Sequence, residues 1–240
     1  MVQRDISGMK LLALDTSTEY LSLALLLDGK VISRGLLAGQ THSQRILPLL
    51  RELLDEAGVE LNDLDGIAFG AGPGSFTGLR IGCGVAQGLA FGADLPVLGV
   101  STLLALAEDV PGADKVVACL DARMSEVYHA AYEKTATGCW EEVVAPGLYA
   151  PTDVPMIPGT GWTAAGSGWR AYGAALDQIY AEQVNNRLPD VFPQAAAIAR
   201  LALPSFMVGR GRPASEAAPI YIRNKVAMTI REREARTASQ

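Results

Sequence analysis

The 240-residue chain is 49% hydrophobic and 19% charged, which is enough apolar material for a large core and excludes global disorder. Its longest apolar run, Leu21 to Leu27, ends at Asp28-Gly29 and falls well short of the ~18–20 residues a bilayer-crossing helix needs. A net charge of −6 argues against holding nucleic acid by general electrostatics, and three cysteines (Cys83, Cys119, Cys139) without CxxC spacing give neither a disulfide framework nor a zinc site.

Met1 to Gly8 reads as a short tail, with neither the apolar core nor the cleavage pattern of a signal peptide. The spacing then predicts strands over Lys10–Asp15, Tyr20–Leu27 and Lys30–Leu36, the last two joined by the hairpin turn Asp28-Gly29. Ile46, Leu49, Leu50, Leu53, Leu54 and Ala57 recur at helical spacing up to Gly58, and Pro48 either opens that helix or kinks it one turn in. Short strands follow at Gly66–Gly70 and Val97–Val100, and Ser101 is placed to cap a helix over Leu103–Glu108.

The second half starts again in the same order. Lys115–Asp121 is a buried strand ending in aspartate, as Lys10–Asp15 is, and strands over Glu126–Tyr132 and Glu141–Ala145 come after it. This repeat favours an internal duplication, with Asp15 and Asp121 in matching places. Beyond Ala150 the pattern loosens: proline-rich loops lead to a strand and glycine turn in "TAAGSGW", then to helices near Arg170–Leu176 and Gln194–Leu203. The C-terminal stretch from Arg223 to Arg236, basic and interleaved with Glu232 and Glu234, reads as a solvated helix face or tail.

The stretch Gly70 to Gly92 holds eight glycines in twenty-three residues, most of them where a helix should form. It is neither of the usual phosphate loops: Gly70 to Leu79 contains no lysine, and Ser75 stands where a dinucleotide fingerprint needs its third glycine. On a helical wheel Gly78, Gly82, Gly84, Gly88 and Gly92 share a broad face with Ile81, Val85 and Leu89, opposite Arg80, Cys83 and Gln87. Such a face lets another backbone come close, so the glycines mark packing, either within the chain or against another one.

Chemistry-bearing motifs are sparse. Asp15, Thr16 and Ser17 in "LALDTST" could hold a phosphate through magnesium, but turn-forming residues of this kind also bond their own backbone. The two histidines, His42 and His129, fit no HxxxH or HExxH pattern; His42 is expected at a helix start, solvated or capping, and His129 half-buried on a strand. Asp121 and Arg123 in "DARMSEVY" are placed to form a local ion pair with Glu126 nearby. Tyr221, Arg223 and Lys225 in "APIYIRNK" form a weak pattern.

"LLALDTSTEYLSLAL", "THSQRILPLL", "GPGSFTGLRIG", "PVLGVSTLLALA", "DARMSEVY" and "PIYIR" occur in this order, and together they resemble the bacterial TsaB (YeaZ) family from about Met9 to Arg223. The resemblance implies an α/β chain of the actin-like ATPase fold (that of sugar kinases, Hsp70 and actin), with two lobes on duplicated mixed sheets. The lobes would span 9–108 and, in reduced form, 109–219, with tails at 1–8 and 220–240.

It further implies a cytoplasmic, non-catalytic subunit in N6-threonylcarbamoyladenosine synthesis on tRNA. Such a subunit would bind and activate the TsaD transferase, be joined by the ATPase TsaE, form homodimers alone, and meet tRNA indirectly. TsaD uses a metal held by an H-x-x-x-H motif that this sequence lacks. No cofactor is required of the chain itself, although the resemblance leaves open ATP or ADP with magnesium at a vestigial or shared site on Asp15, Thr16 and Ser17. The alternative is an active ATPase or small-molecule kinase using Asp15 as ligand, with Asp121 and Gly166 to Trp169 as its second-lobe parts. Family members associate through N-terminal-lobe helices. That nominates Leu50, Leu53, Leu54, Gly78, Gly82, Val85 and Leu89 for the chain–chain contact, unless they pack the lobe internally.

Overall fold

The computed structural model describes residues 8–223; the rest of the expected N-terminal tail, and the basic segment beyond Arg223 with Lys225, lie outside the described residues. Two five-stranded mixed sheets form the framework. In the first, β1 (Lys10–Asp15) is central, paired antiparallel with β2 (Tyr20–Leu27) and parallel with β4 (Gly66–Gly72). Both of its faces are covered, which is why it reads as an unbroken apolar run and not as an alternation. β3 (Lys30–Leu37) and β5 (Val97–Ser101) form the two edges, giving the order β3-β2-β1-β4-β5. The β2–β3 turn uses Asp28 and Gly29 at φ 51° and 80°, the doubly left-handed geometry that a two-residue hairpin favours.

The second sheet repeats this plan. β6 (Lys115–Arg123), β7 (Glu126–Lys134), β8 (Trp140–Tyr149), β9 (Trp162–Ala165) and β10 (Val184–Leu188) lie in the order β10-β9-β6-β7-β8, with β6–β7 and β7–β8 antiparallel and β6–β9 and β9–β10 parallel. The duplication expected from the sequence is therefore real at the level of strand order, and so is the two-lobed actin-like fold. The sequence reading contained no β10, because its Asn185-Asn186-Arg187 centre is exposed and carries no apolar pattern.

Helices fill the layers between and outside the sheets. α1 (His42–Ala57) and α2 (Phe76–Gly92) cover one face of the first sheet, burying Leu12, Leu14, Leu23 and Leu25 with Ile46, Leu50, Leu53, Cys83 and Ala86. α5 (Ala195–Met207) covers the other face, against Leu11, Ala13, Ala24 and Leu26. α3 (Thr102–Glu108) packs on α5 and on the second sheet, whose far face carries α4 (Ser167–Ile179). Each fully buried leucine contributes roughly 1.5–3 kcal/mol, so both sheets rest on substantial cores.

Of three local outcomes, the first decides between two sequence expectations and the other two differ from them. α1 begins at His42 and carries Pro48 inside it, so the proline does not open the helix. His42 is buried, with no partner on Nε2 among the described residues, and is neither solvated nor a cap. Residues 195–217, within the expected second lobe of 109–219, lie on the first sheet: α5 packs there, Arg212 bridges to Val97 and Ala214 and Ala217 join the α1–α2 core.

Candidate functional site: the interlobe cleft and the outer face of α2

At the end of β1 the chain turns sharply through Thr16 and Ser17. The Asp15 carboxylate takes two bonds at Oδ1, from the Ser17 backbone N–H (3.0 Å) and the Ser17 hydroxyl (2.8 Å). Its Oδ2 is buried, without a partner among the described residues, in the space that a Cβ on Gly70 would fill. Burial pushes this carboxyl up to about 7 against the two lowering bonds from Ser17. Thr16 is buried as well and donates its hydroxyl to the Gly78 carbonyl at 2.7 Å.

That last bond explains the first two helical glycines. A Cβ at Gly78 would run into the Thr16 carbonyl oxygen, and one at Gly82 would sit 2.5 Å from Thr16 Oγ1. Here helix α2 lies directly against the β1–β2 turn, and no side chain fits between them. The second lobe repeats the device: Cβ atoms at Gly166 and Gly168 would strike the Cys119 carbonyl and Sγ. The glycines of "GSGW" thus fit α4 against β6.

The single glycine face read from the sequence is in fact divided. Gly78 and Gly82 are buried with Leu79, Cys83, Ala86 and Ala90, so Cys83 stands on the inner side and not opposite the packing face. Among the described residues, nothing lies within 4 Å of a Cβ position on Gly84, Gly88 or Gly92, which face outward beside Phe91, itself 81% exposed. Leu50 and Leu53 belong to the lobe's own core, whereas Leu54, Val85 and Leu89 are partly buried at its margin. On α1, Leu47 is 52% exposed. The sequence signal for this outer face was there in Gly84, Gly88 and Phe91, but a wheel cannot tell which edge of a broad stripe turns inward.

Between the lobes runs a cleft of about 710 Å³, lined by Ser17, Ser75 and Thr77 from the first lobe and Asp121, Arg123 and Arg170 from the second, among others. Ser75 caps α2, its hydroxyl accepting from Gly78 N at 3.3 Å. Asp121 accepts from Arg123 N at 2.8 Å and pairs with the Arg123 guanidinium at 3.1 Å, so the local ion pair forms as expected. The turn that follows is unusual: Arg123, Met124 and Ser125 have φ of 63°, 57° and 62°. Three successive non-glycine residues in the left-handed region cost about 1–2 kcal/mol each. Tyr221 and Arg223, a weak pattern in the sequence, both line this cleft.

Nucleotide and magnesium fit these residues poorly. Asp15 is fully buried and does not line the cleft, and among the described residues no lysine or histidine lines it. No group of three or more His, Cys, Asp or Glu suited to a metal occurs among the described residues. His129 is not half-buried but wholly enclosed, bonded to Tyr180 within the second lobe.

Residues 36–167 match the family model described as TsaD, tRNA N6-adenosine threonylcarbamoyltransferase. The chain is 38% identical over 226 residues to the Escherichia coli (strain K12) protein named tRNA threonylcarbamoyladenosine biosynthesis protein TsaB, spanning 91% of this chain and 96% of that one. To the protein of the same name from Haemophilus influenzae it is 40% identical over 233 residues, spanning 92% and 96%. Among solved structures it is similar to YeaZ from Pseudomonas aeruginosa, with a TM-score of 0.82 and 40% identity over 89% of this chain and 99% of that one.

Proposed function

The chain belongs to the TsaB family, and on that premise we propose that it serves tRNA N6-threonylcarbamoyladenosine synthesis as a non-catalytic subunit that docks on and activates a TsaD-type transferase. The observation that carries the docking is the outer face of α2. Gly84 and Gly88 leave backbone open to solvent at a cost of roughly 0.5–1 kcal/mol each in helix propensity, and Phe91 projects beside them. Among the described residues nothing uses that concession, whereas a partner helix approaching closely would. Leu54, Val85 and Leu89 flank the face, and Leu50, Leu53, Gly78 and Gly82 support it from beneath.

The lack of catalysis rests on side chains. The two histidines are both buried, in different lobes, and form no H-x-x-x-H pair. Asp15 is fully buried and does not line the cleft, and so is poorly placed to serve a kinase. The same docking face would support a homodimer when the partner is missing; a TsaE-type ATPase would join the assembly, tRNA would be met through the partner, and the setting would be the cytoplasm.

Mixing the chain with the TsaD-type subunit tests this reading. A single larger species on sizing chromatography and increased threonylcarbamoylation of tRNA in the reconstituted mixture are expected. Two unshifted peaks with no gain in modification would end it.

A further inference from the structure

The lobes are joined at their base by α3 and α5, which pack against each other between the sheets. Along the cleft, whose lining includes Ile220 to Arg223, the chain from Ala217 to Arg223 crosses from one lobe to the other. Ala217 still packs on the α1–α2 core, whereas Ile222 already packs on the core of the second sheet.

Ile220, Tyr221 and Arg223 fasten the crossing. Ile220 N donates to the Ala71 carbonyl at 2.7 Å, and a Cβ on Gly72, at φ 120°, would come within 2.6 Å of the Ile220 oxygen. Gly72 therefore makes room for the crossing. The Tyr221 hydroxyl accepts from Arg80 Nε at 2.9 Å, and its ring lies 5.5 Å from Phe76, over which the Arg80 guanidinium also sits at 3.7 Å. Both partners belong to the first turns of α2, in the first lobe. Arg223 reaches the second lobe instead. It donates to Glu126 at 2.5 Å, to the Arg123 carbonyl at 3.4 Å and to the Met124 sulfur at 2.9 Å. Its side chain is only 12% exposed.

Arg223 thus grips the three-residue left-handed turn from one side while Asp121 holds Arg123 from the other. Strain at such a turn persists where surrounding contacts over-determine it. We propose that residues 220–223 are a latch that fixes the spacing of the two lobes across the cleft and holds the Arg123–Ser125 turn in its left-handed form. With the latch released, the cleft would widen about the α3–α5 base and the turn would relax.

The test uses the full chain without a TsaD-type subunit, with labelled chain diluted into an excess of unlabelled chain so that only distances within one copy are read, and its outcome is independent of the docking reading. Spin labels go on Cys139, exposed on the second lobe, and on a cysteine placed at exposed Glu60 on the first, since Cys83 and Cys119 are buried. The interlobe distance distribution and the hydrogen exchange of amides 123–126 are compared between the parent and Tyr221→Ala/Arg223→Ala. A distribution broadened by several ångströms and exchange at least tenfold faster are expected, with α1 amides unchanged as a control for folding. Should the double variant fail to fold, Arg223→Gln is read by the same two measurements. A folded variant with parental distances and exchange within twofold of the parent overturns the latch.

Discussion

The Tyr180 hydroxyl lies 2.8 Å from His129 Nε2 inside the second lobe and donates its own proton to the Pro155 carbonyl at 2.5 Å. Tyrosine has one proton to give, so His129 must carry its hydrogen on Nε2. Its Nδ1 is then a buried, unpartnered acceptor, and a proton arriving there would find nothing to donate to. Burial accordingly lowers this imidazole to about 4. A base whose folded pKa lies below its unfolded value of 6.5 favours the unfolded state as pH falls from 6.5 towards 4. The full effect is on the order of 3 kcal/mol. Because Asp15 titrates over the same range with the opposite sign, the loss is read as a difference between chains: the urea midpoint of His129→Phe should rise relative to the parent's between pH 7 and pH 4.5.

Asp15 works in the opposite direction. Its folded pKa is raised from 3.8 to about 7, so the folded state holds a proton that the unfolded state releases. Its contribution is greatest below pH 3.8 and is lost as pH rises through 7, by an amount on the order of 4 kcal/mol. Asp15→Asn keeps an acceptor for the two Ser17 bonds and cannot ionise. Since His129 titrates in the opposite sense, the measure is the difference between the two chains: the urea midpoint of Asp15→Asn relative to the parent's should rise between pH 5 and pH 8, and a constant difference would place the titration elsewhere.

The glycines of α2 should separate into two classes. Gly82→Ala puts a methyl against Thr16 Oγ1 and should destabilise the chain by about 1–3 kcal/mol, and Gly78→Ala, facing a backbone carbonyl that cannot move aside, by more. Gly84→Ala and Gly88→Ala meet nothing and should each stabilise the isolated chain by about 0.5–1 kcal/mol through helix propensity. Equilibrium unfolding of the four single variants checks the division, and equal effects at all four positions would contradict it.

How much of this could be read beforehand follows from what kind of signal each feature leaves. β1, β2 and β6 were readable because strands covered on both faces must be continuously apolar, and the duplicated aspartates showed through for the same reason. β10 was not, because its pairing to β9 needs only backbone and its centre is Asn-Asn-Arg. His129 looked half-buried from strand alternation; Tyr180, fifty-one residues on, is what closes over it. The glycine stripe announced close approach but not its direction, since Thr16 and a partner helix make the same demand of the sequence. Tyr221 and Arg223 were weakest of all, because their partners, Arg80 and Glu126, lie 141 and 97 residues away.

Phe91 gives the sharpest test of the outer face. At 81% exposure it contributes almost nothing to its own fold, so Phe91→Asp should shift the unfolding free energy by less than about 0.5 kcal/mol. An exposed aromatic beside open glycines is the kind of anchor that dominates an interface, where truncation commonly costs 2 kcal/mol or more, roughly 30-fold in affinity. Calorimetric titration against the TsaD-type subunit should therefore show at least tenfold weaker binding for Phe91→Asp. Val208, 56% exposed just past the end of α5, serves as the control because α5 covers the opposite face of the first sheet. Val208→Asp should bind as the parent does. If the two substitutions weaken association equally, the contact does not run through α2, and the open glycines need another explanation.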